Sequence, residues 1–301
     1  MRPETENPGP PFELMAFAFL LAAGAFAVLS VLALGKSPAA PLWFASGAYA
    51  CFLLGRIDAL DPRPTPDYIH SGSAAFLTIC ALILWRFIRM PAIVACLLPL
   101  PALLFEFYTR RFLAIGRRDM VSAGVALNVI FAVLTLFLFR ADPRFDAAVI
   151  STLFSGLAGA SIGGLAAPAV LFFICTAAHV FTRRAAPELA LLSYGRAHFE
   201  GAGLRYDIAR NFLLCARAAF SATSFLSAGW MAGTAPVGPE HRGANIPPSR
   251  DIAALAQYLC LAELLLFASA LADPLIVVPL WFAVTGGFFL YRNFRRIFPY
   301  D

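Results

Sequence analysis

Four polar side chains stand deep inside long apolar stretches of this sequence: Asn128, Arg217, Gln257 and Glu263. A polar or charged group in hydrocarbon is costly unless it is paired or faces water, so such residues mark pathways or structural bridges. Glu263 sits near the middle of IAALAQYLCLAELLLFASALA, and Arg217 lies about two turns into the preceding apolar run. If the runs 211–232 and 252–272 form an antiparallel hairpin, the two differ in depth by only about 6 Å. An Arg–Glu pair would then satisfy both charges. With Gln257 it could line a path for a proton or ion, or it could simply pin two helices.

A second pattern is one of size. Ser151, Ser155, Gly159 and Gly163 recur every four residues, with Gly156, Ala160 and Gly164 on the adjacent ridge. Small residues at that spacing allow two membrane helices to approach backbone to backbone, so this is a helix-packing signal. Ser161 precedes Ile162, which leaves the stretch without a Gly-x-Ser-Gly nucleophile.

Other residue types argue by what they lack. The six cysteines all lie in apolar runs without a Cys-x-x-Cys pair, giving neither a disulfide framework nor a zinc site. His179 is a lone intramembrane histidine, with His70, His198 and His241 in polar segments, too few ligands for a haem held between helices. No His-x-x-x-His spacing, phosphate-binding Gly-x-x-x-x-Gly-Lys loop or Rossmann glycine pattern occurs. No metal and no cofactor is expected, and any energy from nucleotide hydrolysis would have to come from a partner. Arg56 and Glu106 lie near span ends, from which they can snorkel to headgroups.

The elements that carry these residues follow from composition. Of 301 residues, 60% are hydrophobic and 14% charged, against about 45–50% and about 25% in soluble domains. The reading is an all-α, polytopic transmembrane helical bundle of nine or ten segments, in one integral membrane domain over 1–301. Candidate spans are 14–35, 41–57, 72–88, 91–108, 119–139, 146–164, 167–182, 211–232, 252–272 and 274–291. The first of them reads as an uncleaved helix rather than a signal peptide. Alternation typical of transmembrane strands is absent. Asp119, Asp146 and Asp251 each precede an apolar run, where a carboxylate caps a helix N-terminus.

Two features leave the span number open. The apolar stretch 146–182 would reach about 55 Å as one helix, so it must turn, by Gly163, Gly164 and Pro168. Pro99 and Pro101 interrupt 91–108. With ten spans, 12 Lys and Arg, including Arg56 and Arg250, fall on the side of the N-terminus and 10, including those of 183–210, on the other. That difference sets no orientation by the positive-inside rule.

The polar linker 183–211 mixes five arginines with Leu189, Leu192, Phe199 and Ile208, as an amphipathic segment on the membrane surface or a docking site for a partner would. A polar Pro- and Gly-rich loop occupies 233–250. The arginines, single or paired between apolar runs, suit lipid headgroups and not nucleic acid. The partners expected are the lipid bilayer, protein subunits or a homo-oligomer, in a bacterial inner membrane.

The function that follows is translocation of a small solute, ion or proton, by the chain alone or as a subunit of a membrane complex. Two alternatives are a membrane anchor or quinone-facing subunit of a respiratory complex, and a lipid-modifying enzyme using Asp58, Asp61, Asp67 and His70.

Overall fold

The computed structural model describes residues 12–32, 35, 37–60, 97–112, 164–228 and 248–271, with scattered helical positions within 76–84 and 126–137. Asn128, the small-residue ridge Ser151, Ser155, Gly159 and Gly163, and the polar residues Asp61, Asp67 and His70 lie outside the described residues. Every regular element among those described is helical, in agreement with the all-α reading.

The elements are α1 (Phe12–Leu32), α2 (Ala39–Leu60), α3 (Pro99–Phe112), α4 (Ala166–Ala190), a 3₁₀ turn (Leu191–Tyr194), α5 (Arg196–Gly201), α6 (Tyr206–Ala228) and α7 (Pro248–Leu271). Among the described residues, three stretches, Glu13–Leu32, Ala166–Ala190 and Ser249–Ala268, are long and apolar enough to cross a membrane. At about 1.5 Å per residue the 20 residues of Glu13–Leu32 reach about 30 Å, the thickness of the hydrocarbon core. Leu14, Phe17, Leu21 and Val28 on α1, with Phe173, Ile174 and Phe181 on α4, are exposed. So broad an apolar surface is stable only against lipid, and the chain is an integral membrane protein.

α2 is the central helix. Its Ala50, Leu53 and Ile57 are fully buried, and it packs against α4, α6 and α7. α1 lies against α7, where Ala16 meets Ala253 and Ala256, and Phe26 meets Phe267. Interior position also explains α2's composition: a helix enclosed by others has little lipid to face, so it can carry Ser46, Tyr49 and Arg56.

Directions follow from which residues meet. Ser46 donates to the Pro168 carbonyl at 3.1 Å, Tyr49 meets Phe172, and Ile57 packs with Ala186 and Leu189, so α4 runs parallel to α2. Arg56 meets Asp251, Phe52 meets Tyr258, and Trp43 and Phe44 pack with Leu265 and Leu266, so α7 runs antiparallel to α2. Ile57 packs with Leu213 while Cys51 bonds Ser224, so α6 is antiparallel to α2 as well.

Two expectations are thereby corrected. α6 and α7 are not an antiparallel hairpin: each packs on α2, and they run parallel to each other. Arg56 and Arg250 do not lie opposite the 183–210 segment, because the C-terminal end of α2 and the start of α7 meet the C-terminal half of α4. The physical reason is cumulative parity. With four candidate spans between α2 and α4 the ten-span reading makes those two antiparallel, and with none between α6 and α7 it makes that pair antiparallel as well, whereas both pairs are parallel.

Beyond the expected end of its span at 182, α4 continues for two turns through Arg183, Arg184 and Pro187 to Ala190. Over 183–211, Leu189, Leu192 and Phe199 are buried while Tyr194 and Ile208 are exposed. Gly195, at φ 94° and ψ 171°, makes the corner between the 3₁₀ turn and α5, a conformation open essentially to glycine alone. Arg196 then ties the segment together, bonding Glu200 and Asp207, each at 2.8 Å. Its hydrogen bond to Glu200 and the Asp207 charge hold that exposed guanidinium above its ordinary pKa.

Candidate functional site

The polar centre of the described bundle lies where α2, α4 and α7 meet. α2 supplies Tyr49 and Arg56, seven residues apart and so on one face; α4 supplies His179; α7 supplies Asp251 from its first turn. All four are buried, Asp251 completely. Arg56 Nη1 donates to Asp251 Oδ1 in an ion pair. His179 Nε2 lies 2.9 Å from Asp251 Oδ2, and its Nδ1 lies 2.9 Å from the Tyr49 hydroxyl.

An ionised carboxylate only accepts, so Nε2 of His179 donates to Asp251, and in a neutral ring that is where the one hydrogen sits. Nδ1 is then a lone pair, and the Tyr49 O–H donates to it. Both oxygens of Asp251 are thus engaged, one by a cation on α2 and the other by a neutral donor on α4. The chain Tyr49–His179–Asp251–Arg56 is complete, which is the condition under which a buried polar network fixes an arrangement of helices.

The surroundings are apolar and aromatic. Phe52 places its ring 5.4 Å from the His179 ring and 5.8 Å from Tyr258, and Phe172 stands edge-on to Tyr49 at 5.2 Å. Thr182 caps the site by donating to the His179 carbonyl at 3.0 Å. Among the described residues, no group of three or more His, Cys, Asp or Glu is arranged to hold a metal ion.

None of the four residues was a candidate from the sequence as a network member. Asp251 reads as a helix cap, yet α7 begins three residues earlier at Pro248 and the carboxylate turns inward. Arg56 reads as a snorkelling end residue, yet it is buried in an ion pair. His179 reads as solitary because its partners are 72 and 130 residues away. The available signal was the presence of an acid, a base and a histidine near the ends of three apolar runs, all of opposite or complementary hydrogen-bonding type.

The residues singled out from the sequence are placed differently. Arg217 is fully buried on α6, at the head of a stripe with Ser221 and Ser224 at i+4 and i+7, and Ser224 reaches Cys51 on α2. Glu263 is also buried, and its Oε2 has no hydrogen-bond partner in the structure. Among the described residues, no ion pair joins Arg217 to Glu263. Their depths explain why: Arg217 is level with about Gly55 of α2 and Glu263 with about Ser46, a separation of about 14 Å. Gln257, half-buried between them in sequence, shares no face with Glu263.

No family model and no curated protein matches this sequence. Among solved structures, the fold resembles one described as an inward-facing conformation of a transporter assigned to the metal-chelate ABC type, with a TM-score of 0.63 and 14% identity. The match covers 94% of this chain and 99% of that one. At that identity the likeness is one of architecture, and it extends over nearly the whole of both chains: this is an all-helical bundle with the fold of an ABC transporter membrane domain.

Proposed function

We propose that this chain is the membrane-embedded subunit of a transporter that carries a small solute and takes its energy from a separate, soluble nucleotide-hydrolysing subunit. The observation that carries this reading is the correspondence of fold over 94% of the chain. It fits a sequence in which no phosphate-binding loop occurs, hydrolysis then coming from outside these 301 residues.

Charge gives the bundle a direction under this reading. Arg56, Arg183, Arg184, Arg196, Arg205, Arg210 and Arg250 gather at one end, and the positive-inside rule assigns that end to the cytoplasm. The 3₁₀ turn and α5 stand there on the end of α4, with Tyr194 exposed and Arg196 braced by two acids. That segment is the natural seat for a soluble partner. The chain is multi-pass in a bacterial inner membrane.

A metal chelate is the first solute class to test. The experiment is co-expression with candidate nucleotide-hydrolysing subunits, mild-detergent purification and reconstitution in liposomes. Co-purification and solute-stimulated hydrolysis support the reading. A chain that purifies instead with redox subunits favours the membrane-anchor alternative.

A further inference from the structure

Asp251 is held by two groups of different kinds on two different helices. Arg56 on α2 is a permanent cation, whereas His179 on α4 is a neutral donor that becomes a cation on taking one proton. With the imidazole neutral, the cluster is electrically balanced: one guanidinium, one carboxylate, a neutral imidazole and a neutral phenol. A proton arriving on Nδ1 of His179 gives the cluster a net positive charge in an apolar interior, which is unfavourable. Balance returns if one cation leaves.

Only one can leave cheaply. His179 lies mid-helix on α4, fixed by Thr182, Phe52 and Tyr49. Arg56 stands one turn from the end of α2 at Leu60, and its long side chain can swing outward to the headgroups while its stem stays in apolar surroundings. We propose that Asp251 is shared between alternative counter-cations, Arg56 at neutral pH and protonated His179 in acid, so that proton uptake moves the ionic tie of α7 from α2 to α4.

Within the site the proton changes one further bond. With Nδ1 protonated, that nitrogen donates, and the Tyr49 oxygen becomes the acceptor, so the phenol must turn its own hydrogen elsewhere. The other titratable or charged groups near His179 are few. On its own helix Cys175 and Arg183 lie one turn to either side; on α7 Arg250 is exposed beside Asp251; on the 3₁₀ turn Tyr194 is exposed with its ring against His198. None of these offers Asp251 a second buried cation among the described residues. The device depends on the four-residue cluster alone and stands whether or not the chain is a transporter.

The test uses the full chain in lipid nanodiscs and follows thermal unfolding at pH 7.5 and pH 5.5 for Arg56→Gln, His179→Gln and the double variant. Glutamine at 179 keeps one donor and one acceptor but cannot take a proton. At pH 7.5, Arg56→Gln should melt about 5–10 °C lower, as expected for breaking a buried pair. At pH 5.5 it should recover most of that loss, because His179 supplies the missing cation. Arg56→Gln/His179→Gln should stay low at both pH values. Absence of recovery in the single variant overturns the proposal, as does equal recovery in the double variant, which would make protonation of Asp251 itself the cause.

If Arg56→Gln does not fold, the wild-type chain labelled with ¹⁵N-histidine gives the answer. The ring signal missing from His179→Gln should show a neutral Nε2–H tautomer at pH 7.5 and imidazolium at pH 5.5. An Nδ1–H tautomer at pH 7.5, or a ring that is in the same charge state at both pH values, overturns it.

Discussion

Asp251 has the highest stakes of any single side chain in the bundle, because removing it strands a guanidinium in the interior as well as losing two bonds. Asp251→Ala should therefore destabilise the chain by about 3–5 kcal/mol, read as a loss of folded yield and a lower unfolding midpoint. Tyr49→Phe is milder. It leaves the His179 Nδ1 lone pair without its donor, at about 1–3 kcal/mol, while the ring contacts to Phe52 and Phe172 survive. Glu263 behaves in the opposite sense. Its buried carboxylate lacks a partner on Oε2, so Glu263→Gln should unfold no more easily than the parent. If the charge serves the translocation path, solute flux in liposomes falls at least about tenfold, equivalent to about 1.4 kcal/mol. Unchanged flux would leave Glu263 a structural residue.

The sequence reveals which side chains are buried in apolar runs, and Arg217 and Glu263 were legible that way. Their relation was not, since position along one helix says nothing of which neighbour a side chain meets. The same limit hid Tyr49, His179, Asp251 and Arg56. Each has a cheap explanation by its own place in its own run, and only the packing of α4 and α7 on α2 shows that they form one chain of hydrogen bonds.

Among the elements, the existence and approximate limits of α1, α2, α4, α6 and α7 were readable from run length, but their directions were not. The ten-span count gives the wrong relative direction twice, for α2 with α4 and for α6 with α7, and the Lys and Arg balance of 12 to 10 rests on that count. Local turns are where element-level chemistry is most decisive. Gly195 occupies a φ of 94° that a β-carbon opposes, so Gly195→Val should loosen the corner between the 3₁₀ turn and α5 at a cost of about 1–3 kcal/mol. Limited trypsin digestion reads this directly. Cleavage after Arg196 should quicken several-fold in the variant, while cleavage elsewhere stays as in the parent.

For the whole molecule, the arrangement makes a topological statement that is independent of function. Ser37, just before α2, and Gly203, just before α6, lie at opposite ends of the bundle, and Ser249, at the start of α7, shares the end of Gly203. Single cysteines at these positions in a background without native cysteines should label with a membrane-impermeant thiol reagent from opposite sides for Ser37 and Gly203, and from the same side for Gly203 and Ser249. Labelling of Ser249 together with Ser37 would restore the hairpin arrangement and remove α2 from its central place.

The C-terminal half of α4 has a mechanical meaning. From His179 to Ala190 it extends about 16 Å, with Pro187 in its last turn, and the 3₁₀ turn carries on directly from its last residue. Such a rod tilts about whatever holds it lower down, and gives at Pro187, which has no N–H to bond the preceding turn. The fulcrum here is the His179 contact with α2 and α7, so a push on α5 from outside the bilayer arrives as torque on that contact, and loosening of the contact lets α5 swing in return.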